Sequence, residues 1–204
     1  MKIIYGTKNK AKLGDMKRVL NGLELEITGL SDTETDLPEV DESGNDPLKN
    51  AEIKALAYYE VLKKPVFSCD SGLFIEGLDE KMQPGAHVRR VNGIYMSDNE
   101  MIDYYSKLAG TFAGKCTARY RNAICLIMDE KNIFSYSGDD ISGEKFTLSP
   151  FRHEIQTEGY PLDSISVHAD TGKYYVEMED EKDSFGHEEG FRKFFQMVLE
   201  QWSK

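Results

Sequence analysis

The stretch KKPVFSCDSGLFIEGL, residues 63–78, decides how this chain is read. An apolar run from Pro65 to Phe67 gives way to Cys69-Asp70-Ser71-Gly72 and resumes as Leu73-Phe74-Ile75. Asp, Ser and Gly are turn formers, so the pattern predicts a buried strand, Pro65 to Cys69, that ends in a tight turn with a carboxylate at its mouth. Two readings stand for that carboxylate. Asp70 caps the turn against Gly72, or it faces a ligand at the end of a strand, where α/β sheets bind theirs.

Working outward, the segments on both sides alternate between strand and helix. PLKNAEIKALAYYEVLKK, residues 47–64, has helical spacing with Pro47 in the first turn, and KIIYG near the start is a short buried strand. NKAKLGDMKRVL follows it as a helix whose Lys and Arg come late, where the helix dipole favours cations. LELEITG alternates like a strand and is followed by an acidic loop, SDTETDLPEVDESGND. Further on, SDNEMIDYYSKLAG reads as a helix capped by Ser97 or Asp98 and stopped by Gly110. CTARYRNAICLIMD and NIFSYSGD read as a hairpin around Glu130-Lys131, residues 141–176 are mixed, and EEGFRKFFQMVLEQW closes as an amphipathic helix. There is no repeat or linker, so the expected class is α/β with one continuous core.

Composition excludes several functions. The net charge of -11 argues against a nucleic-acid surface, which needs clustered Lys and Arg, so any anionic ligand must meet local positive charge. No apolar run reaches the length of a membrane span, and the start MKIIYGTKNK turns polar too early for a signal peptide, which predicts a cytoplasmic protein. Cys69, Cys116 and Cys125 lack zinc-site spacing and are odd in number, as expected of reduced thiols. The four histidines form no close sequence pair that would suggest a metal site.

Polar residues gather at the predicted strand-to-helix turns. Thr7, Asn9 and Lys12 follow the first strand within about one helical turn, either as an ordinary capped helix start or as a phosphate site on unpaired N–H groups. The glycine spacing of a P-loop is absent.

In order along the chain, these motifs resemble the inosine/xanthosine triphosphate pyrophosphatases, which cleave deaminated purine nucleoside triphosphates to the monophosphate and pyrophosphate. The resemblance rests on Thr7-x-Asn9-x-x-Lys12, KNAEIKA, the turn Asp70 to Leu73, PG followed by Arg90 and Gly93, and Ala118-Arg119-Tyr120. It continues through Gly138 and Gly143, GYPLDS with Tyr160 and Asp163, VEM followed by DEK with Lys182, and His187. It implies a single two-lobed domain over residues 1–204, a long mixed twisted sheet flanked by helices, and a nucleotide cleft between the lobes. It also implies that Asp70 is the general base and a ligand of Mg²⁺, with Mn²⁺ as a substitute. Thr7, Asn9, Lys12, Ser71, Gly72, Arg90 and Lys182 would hold the substrate. Tyr160 would stack on the base, with Asp163 and His187 at its polar edge, and the protein would be a homodimer.

Three positions depart from the family pattern. Cys69 stands where an acidic residue is usual, Lys49 replaces a metal-binding glutamate, and Glu188 replaces an arginine of the base pocket. A thiol and an ammonium are poor ligands for an ion that prefers oxygen, and an ionised Glu188 only accepts hydrogen bonds. The expected function is hydrolysis of ITP, dITP or XTP, and two readings stand for Glu188: an acceptor that shifts preference towards an amino-bearing base, or a side chain that points out of the pocket. The alternative is a nucleotide-binding protein of the same fold with little hydrolysis.

Overall fold

The computed structural model describes residues 1–41, 44–91, 93–178 and 187–202. Its helices are α1 (Lys10–Val19), α2 (Pro47–Leu62), α3 (Asp98–Gly110) and α4 (His187–Trp202). The strands are β1 (Lys2–Tyr5), β2 (Glu26–Gly29), β3 (Val66–Ile75), β4 (Arg90–Val91), β5 (Ile94–Tyr95), β6 (Cys116–Ile127), β7 (Ile133–Tyr136), β8 (Phe146–Leu148) and β9 (Ser166–His168).

Pro47 stands in the first turn of α2 as expected, behind an N-cap, Asp46, that accepts from the backbone N–H of Leu48 at 2.9 Å; of the two caps offered for α3 it is Ser97 that forms a capping box with Glu100. Seven strands form one mixed sheet in the order β2-β1-β3-β6-β8-β9, with β7 also paired to β6. β1 runs parallel to β2 and β3, whereas the β6, β7, β8 and β9 pairings are antiparallel. β4 and β5 form a separate two-stranded ribbon.

The central strand corrects the expectation of a turn at Asp70. β3 runs unbroken from Val66 to Ile75 and pairs residue for residue with β6, from Val66 opposite Ile127 to Ile75 opposite Ala118. Ten cross-strand partners outweigh the local turn preference of Asp-Ser-Gly. Gly72 serves close packing: a Cβ there would lie 2.9 Å from Phe74, 3.0 Å from the Gly85 backbone and 3.1 Å from Pro47. The crowding arises because Leu73 and Gly85 exchange backbone hydrogen bonds of 2.8 and 3.0 Å.

Period-two alternation sorts β1, β3 and β6 between two faces. Ile3, Tyr5, Phe67, Ile124 and Leu126 face a core closed by α1 and α4, including Met16, Phe191 and Phe195. Ile4, Val66, Cys125 and Ile127 face the other side, under Ala51, Ala55 and Tyr58 of α2. The second half of β3 enters a different core, in which Leu73 and Ile75 pack with Ile102 and Tyr105 of α3 and with Phe146 and Leu148. Complete burial of a side chain such as Phe67 contributes roughly 1.5–3 kcal/mol. One strand thus passes from one core to another, and Asp70 sits between Phe67 of the first and Leu73 of the second. Among the described residues no helix is long and apolar enough to cross a membrane.

Candidate active site

A cavity of about 490 Å³ opens at that midpoint of β3, lined by Cys69, Asp70 and Ser71 of the strand and by Asn9, Lys12 and Arg18 of the α1 region. The start of α1 forms one wall. Asn9 is its N-cap, and Asn9 Oδ1 accepts from the backbone N–H groups of Ala11 (2.9 Å) and Lys12 (3.2 Å), while Thr7 Oγ1 accepts from Asn9 N–H (3.1 Å). These caps fix the turn and direct the positive end of the helix, with Lys12, at the cavity. Asn9 Nδ2 donates to Gly159 O at 3.4 Å, which fastens the 159–163 loop over the same helix end. Gly159 has φ +84°, and a Cβ there would come within 3.0 Å of Asn9.

Asp70 is held from α2. Lys54 Nζ donates to Asp70 Oδ1 at 3.0 Å, and Asn50 Nδ2 donates to Oδ2 at 3.0 Å and to Gly44 O at 2.9 Å. The Lys54 and Asp70 side chains are only 10% and 13% exposed, so the ion pair is nearly desolvated and its geometry is firm. Asn50 and Lys54 stand four apart in KNAEIKA, the spacing that puts two residues on one helix face. Nothing in the sequence beyond that spacing marks either as a partner of Asp70.

Lys49 lies exposed in the first turn of α2 and is not among the residues that line the cavity. Arg90 is exposed on β4, and it is the neighbouring Arg89 that lines the cavity, anchored to Asp98 at 2.6 Å and to Met96 O at 3.2 Å. Ser71 lines the cavity; Thr7 and Gly72 do not. Lys182 lies outside the described residues, and His187 is described only as the first residue of α4.

Burial pushes the Cys69 thiol up to about 12, against the opposing pull of the Tyr5 hydroxyl and of the Lys12 and Lys54 ammonium groups. At neutral pH Cys69 therefore keeps its proton. Tyr160 donates its hydroxyl to Asp15 Oδ2 at 2.5 Å, and burial followed by that hydrogen bond raises its phenol well above the ordinary range. Asp163 lines the cavity beside Tyr120 and Tyr175. Glu188 does not stand alone as an acceptor. It forms a two-point pair with Arg18, Nη1 to Oε2 at 3.2 Å and Nη2 to Oε1 at 2.9 Å. Lys12, Asp15 and Arg18 recur every three residues along α1, a pattern that was legible as a helix face but not as a cavity wall.

The donor set also bears on a metal. Among the described residues no group of three or more His, Cys, Asp or Glu side chains forms a cage. The oxygen ligand at hand on the cavity is the Asp70 carboxylate, and behind it the buried amide oxygen of Asn50 has no hydrogen-bond partner among the described residues. Mg²⁺ is often bound by one or two carboxylates with substrate phosphates and water completing its shell, and these residues fit that mode. The lining favours it further, with carboxylates at Asp15, Asp70, Glu144, Asp163 and Glu188 against cations at Lys12, Arg18 and Arg89. A polyanion entering such a cavity needs a counter-charge of its own.

Comparison with known proteins is consistent along the chain. A family model described as the Ham1 family matches residues 3–196. The chain is 31% identical over 189 residues to a dITP/XTP pyrophosphatase of Symbiobacterium thermophilum, covering 91% of this chain and 88% of that protein. It is also 31% identical over 139 residues to a dITP/XTP pyrophosphatase of Geobacter sulfurreducens, covering 68% of each. Among solved structures, a HAM1 protein from Coxiella burnetii superposes with a TM-score of 0.75 at 21% identity over the whole of both chains. A nucleoside-triphosphatase / dITP/XTP pyrophosphatase from Mycobacterium abscessus gives a TM-score of 0.66 at 24% identity, covering 90% of this chain and 93% of that one. At those identities the two structures speak for the fold alone.

Proposed function

The chain belongs to the Ham1 family, and from that membership and the cavity we propose that it hydrolyses deaminated purine nucleoside triphosphates to the monophosphate and pyrophosphate. The observation that carries the reading is Asp70, fixed between Lys54 and Asn50 at the centre of a cavity whose wall is a helix N-terminus bearing Lys12. In this reading the triphosphate lies along the start of α1, and Asp70 accepts a proton from water as the water oxygen attacks the α-phosphorus. The bond from that phosphorus to the bridging oxygen breaks, its electron pair leaves with pyrophosphate, and the new P–O bond gives the monophosphate. A positioned base of this kind contributes about 10²- to 10⁴-fold. Lys54 and Asn50 hold the plane of the carboxylate, and Lys12 and Arg89 offset phosphate charge.

Asp70, together with substrate oxygens, would hold Mg²⁺, with Mn²⁺ as a substitute. When bound it supplies neutralisation of the charge moving onto the leaving pyrophosphate. Ser71, Tyr160, Asp163, Lys182 and His187 belong to the substrate contacts in this proposal, as the resemblance implies. A single domain over residues 1–204 and a homodimer complete it; Ile94 and Tyr95, each 69% exposed on β5, are apolar surface that favours association. Free thiols at Cys69, Cys116 and Cys125 support a cytoplasmic setting alongside the nucleotide pool.

A survey tests the reading. Purified protein with Mg²⁺ is offered ITP, XTP, GTP, ATP and the pyrimidine triphosphates, and pyrophosphate and orthophosphate are measured separately. Pyrophosphate from ITP and XTP is expected; intact triphosphates after hours would leave only the nucleotide-binding alternative.

A further inference from the structure

At the end of the cavity away from the α1 N-terminus, the last turn of α1 meets the first turn of α4. Arg18 and Glu188, separated by 170 residues in sequence, form their two-point pair there, and both line the cavity. The Glu188 side chain is 18% exposed and that of Arg18 37%, so the pair is partly shielded from water. Behind it stands Asp15, with Oδ1 3.7 Å from Arg18 Nη2 and Oδ2 accepting from Tyr160.

Joining α4 to α1 does not require this pair. Arg192 already donates to Val19 O at 3.1 Å and Asn21 O at 2.7 Å, and Phe191 and Phe195 pack into the core beneath α1. What the pair adds is a held carboxylate facing the cavity. Its distance from the phosphate end follows from helix geometry: Arg18 is six residues beyond Lys12, about 9 Å along the axis at 1.5 Å per residue. That is the order of the span from the α-phosphate of a nucleotide to the far edge of its base. Met16, Val19, Tyr160 and Phe191 supply apolar walls on the way, as a planar ring system requires.

We propose that Glu188, positioned by Arg18, reads the Watson–Crick edge of the base by accepting a hydrogen bond from N1–H. This rests on the cavity being the triphosphate site proposed above. An ionised carboxylate has acceptor sites only, about four lone pairs, and the Arg18 fork engages one from each oxygen. The purines that present a proton at N1 are the 6-oxopurines: hypoxanthine, xanthine and also guanine, whose 2-amino group adds a second donor beside N1. Adenine has no proton on N1. Adenine offers its 6-amino group but turns the lone pair of an unprotonated N1 towards the carboxylate, so the site selects for N1–H, does not exclude the 2-amino group, and takes GTP with ITP and XTP while disfavouring ATP. A hydrogen bond to a charged group contributes about 1.5–3 kcal/mol, which corresponds to a preference of about tenfold to a hundredfold.

The test is kcat/KM for pyrophosphate release from ITP, GTP and ATP, measured for the parent, Glu188→Gln and Arg18→Ala, with thermal melting of each to show that it is folded. Expected for the parent is GTP within about tenfold of ITP and ATP at least tenfold below both. In Glu188→Gln the ITP-to-ATP ratio collapses by tenfold or more, chiefly through KM, and Arg18→Ala moves the ratio in the same direction because the carboxylate is no longer held. A pair that only joins two helices would change melting and leave the ratio alone. An unchanged ratio in a folded Glu188→Gln that still turns over ITP overturns this inference and spares the reading beneath it. Failure of the parent to hydrolyse any of the three overturns both.

Discussion

The Lys54–Asp70 pair makes a prediction that separates its role in stability from its role in turnover. At 3.0 Å and an effective dielectric near 20, the attraction between the two charges is about 5 kcal/mol. Both side chains are close to nine-tenths buried, so removal of one partner strands the other charge away from water, which costs about 3–5 kcal/mol for a fully buried pair. Allowing for the residual exposure and for the Asn50 bond that remains on Oδ2, Lys54→Met and Asp70→Asn are each expected to lose about 3 kcal/mol of unfolding free energy. For a chain of this size that is roughly 6–12 °C in Tm. The double variant removes both charges and leaves neither stranded, so it should recover to within about 1 kcal/mol of the parent. Pyrophosphate release should show the opposite pattern, with Asp70→Asn and the double variant both down by about a hundredfold or more. Urea unfolding of the four proteins, with the same samples assayed on ITP, measures both. Additive losses in the double variant would show that the two groups do not stabilise each other, and the reasoning would fail.

Lys49, exposed and outside the cavity, should tolerate replacement: Lys49→Ala is expected to keep stability within about 0.5 kcal/mol and to leave the Mg²⁺ dependence of hydrolysis unaltered, whereas a displaced Mg²⁺ titration would bring the lysine into the site. Cys69, raised from 9.0 to about 12 by burial, holds its proton in the folded state while the unfolded chain loses it. The stability it contributes is intact below pH 9 and lost as pH rises through 12, so Cys69→Ala should show a shallower alkaline decline in denaturant melts than the parent, and equal slopes would contradict this. Gly159→Ala places a Cβ against Asn9 at a left-handed φ of +84°, and should cost about 1–2 kcal/mol and raise KM for the triphosphate; an unchanged KM would detach the 159–163 loop from substrate binding.

The alternation of strands and helices was legible because caps and periodicity are local: Pro47, Ser97 and the ends of α1, α2 and α3 are set by neighbours in sequence. The interruption read at Asp70 was not, because Asp-Ser-Gly favours a turn by local chemistry and only pairing with β6, some fifty residues away, keeps β3 extended. The mixed stretch after Ile141 contains a three-residue strand, Phe146–Leu148, and short 3₁₀ turns whose register depends on β6 and β9, so no periodicity marked them. In the cavity, Asp70, Asn9, Lys12 and Tyr160 carried visible motifs. Lys54 and Asn50 share one face of α2, and only folding brings that face against Asp70, 16 and 20 residues further on. The Arg18 partner of Glu188 could not be read from spacing at all, since ion pairs across 170 residues exist only once the chain has folded.

The central claim is attack of water on the α-phosphorus at the Asp70 cavity, and hydrolysis of ITP in ¹⁸O-labelled water with mass analysis of the products tests it most directly. The account predicts one labelled oxygen in the monophosphate, unlabelled pyrophosphate in equal amount, and loss of both products in Asp70→Asn. Label appearing in pyrophosphate or in orthophosphate, or undiminished turnover by Asp70→Asn, would contradict it.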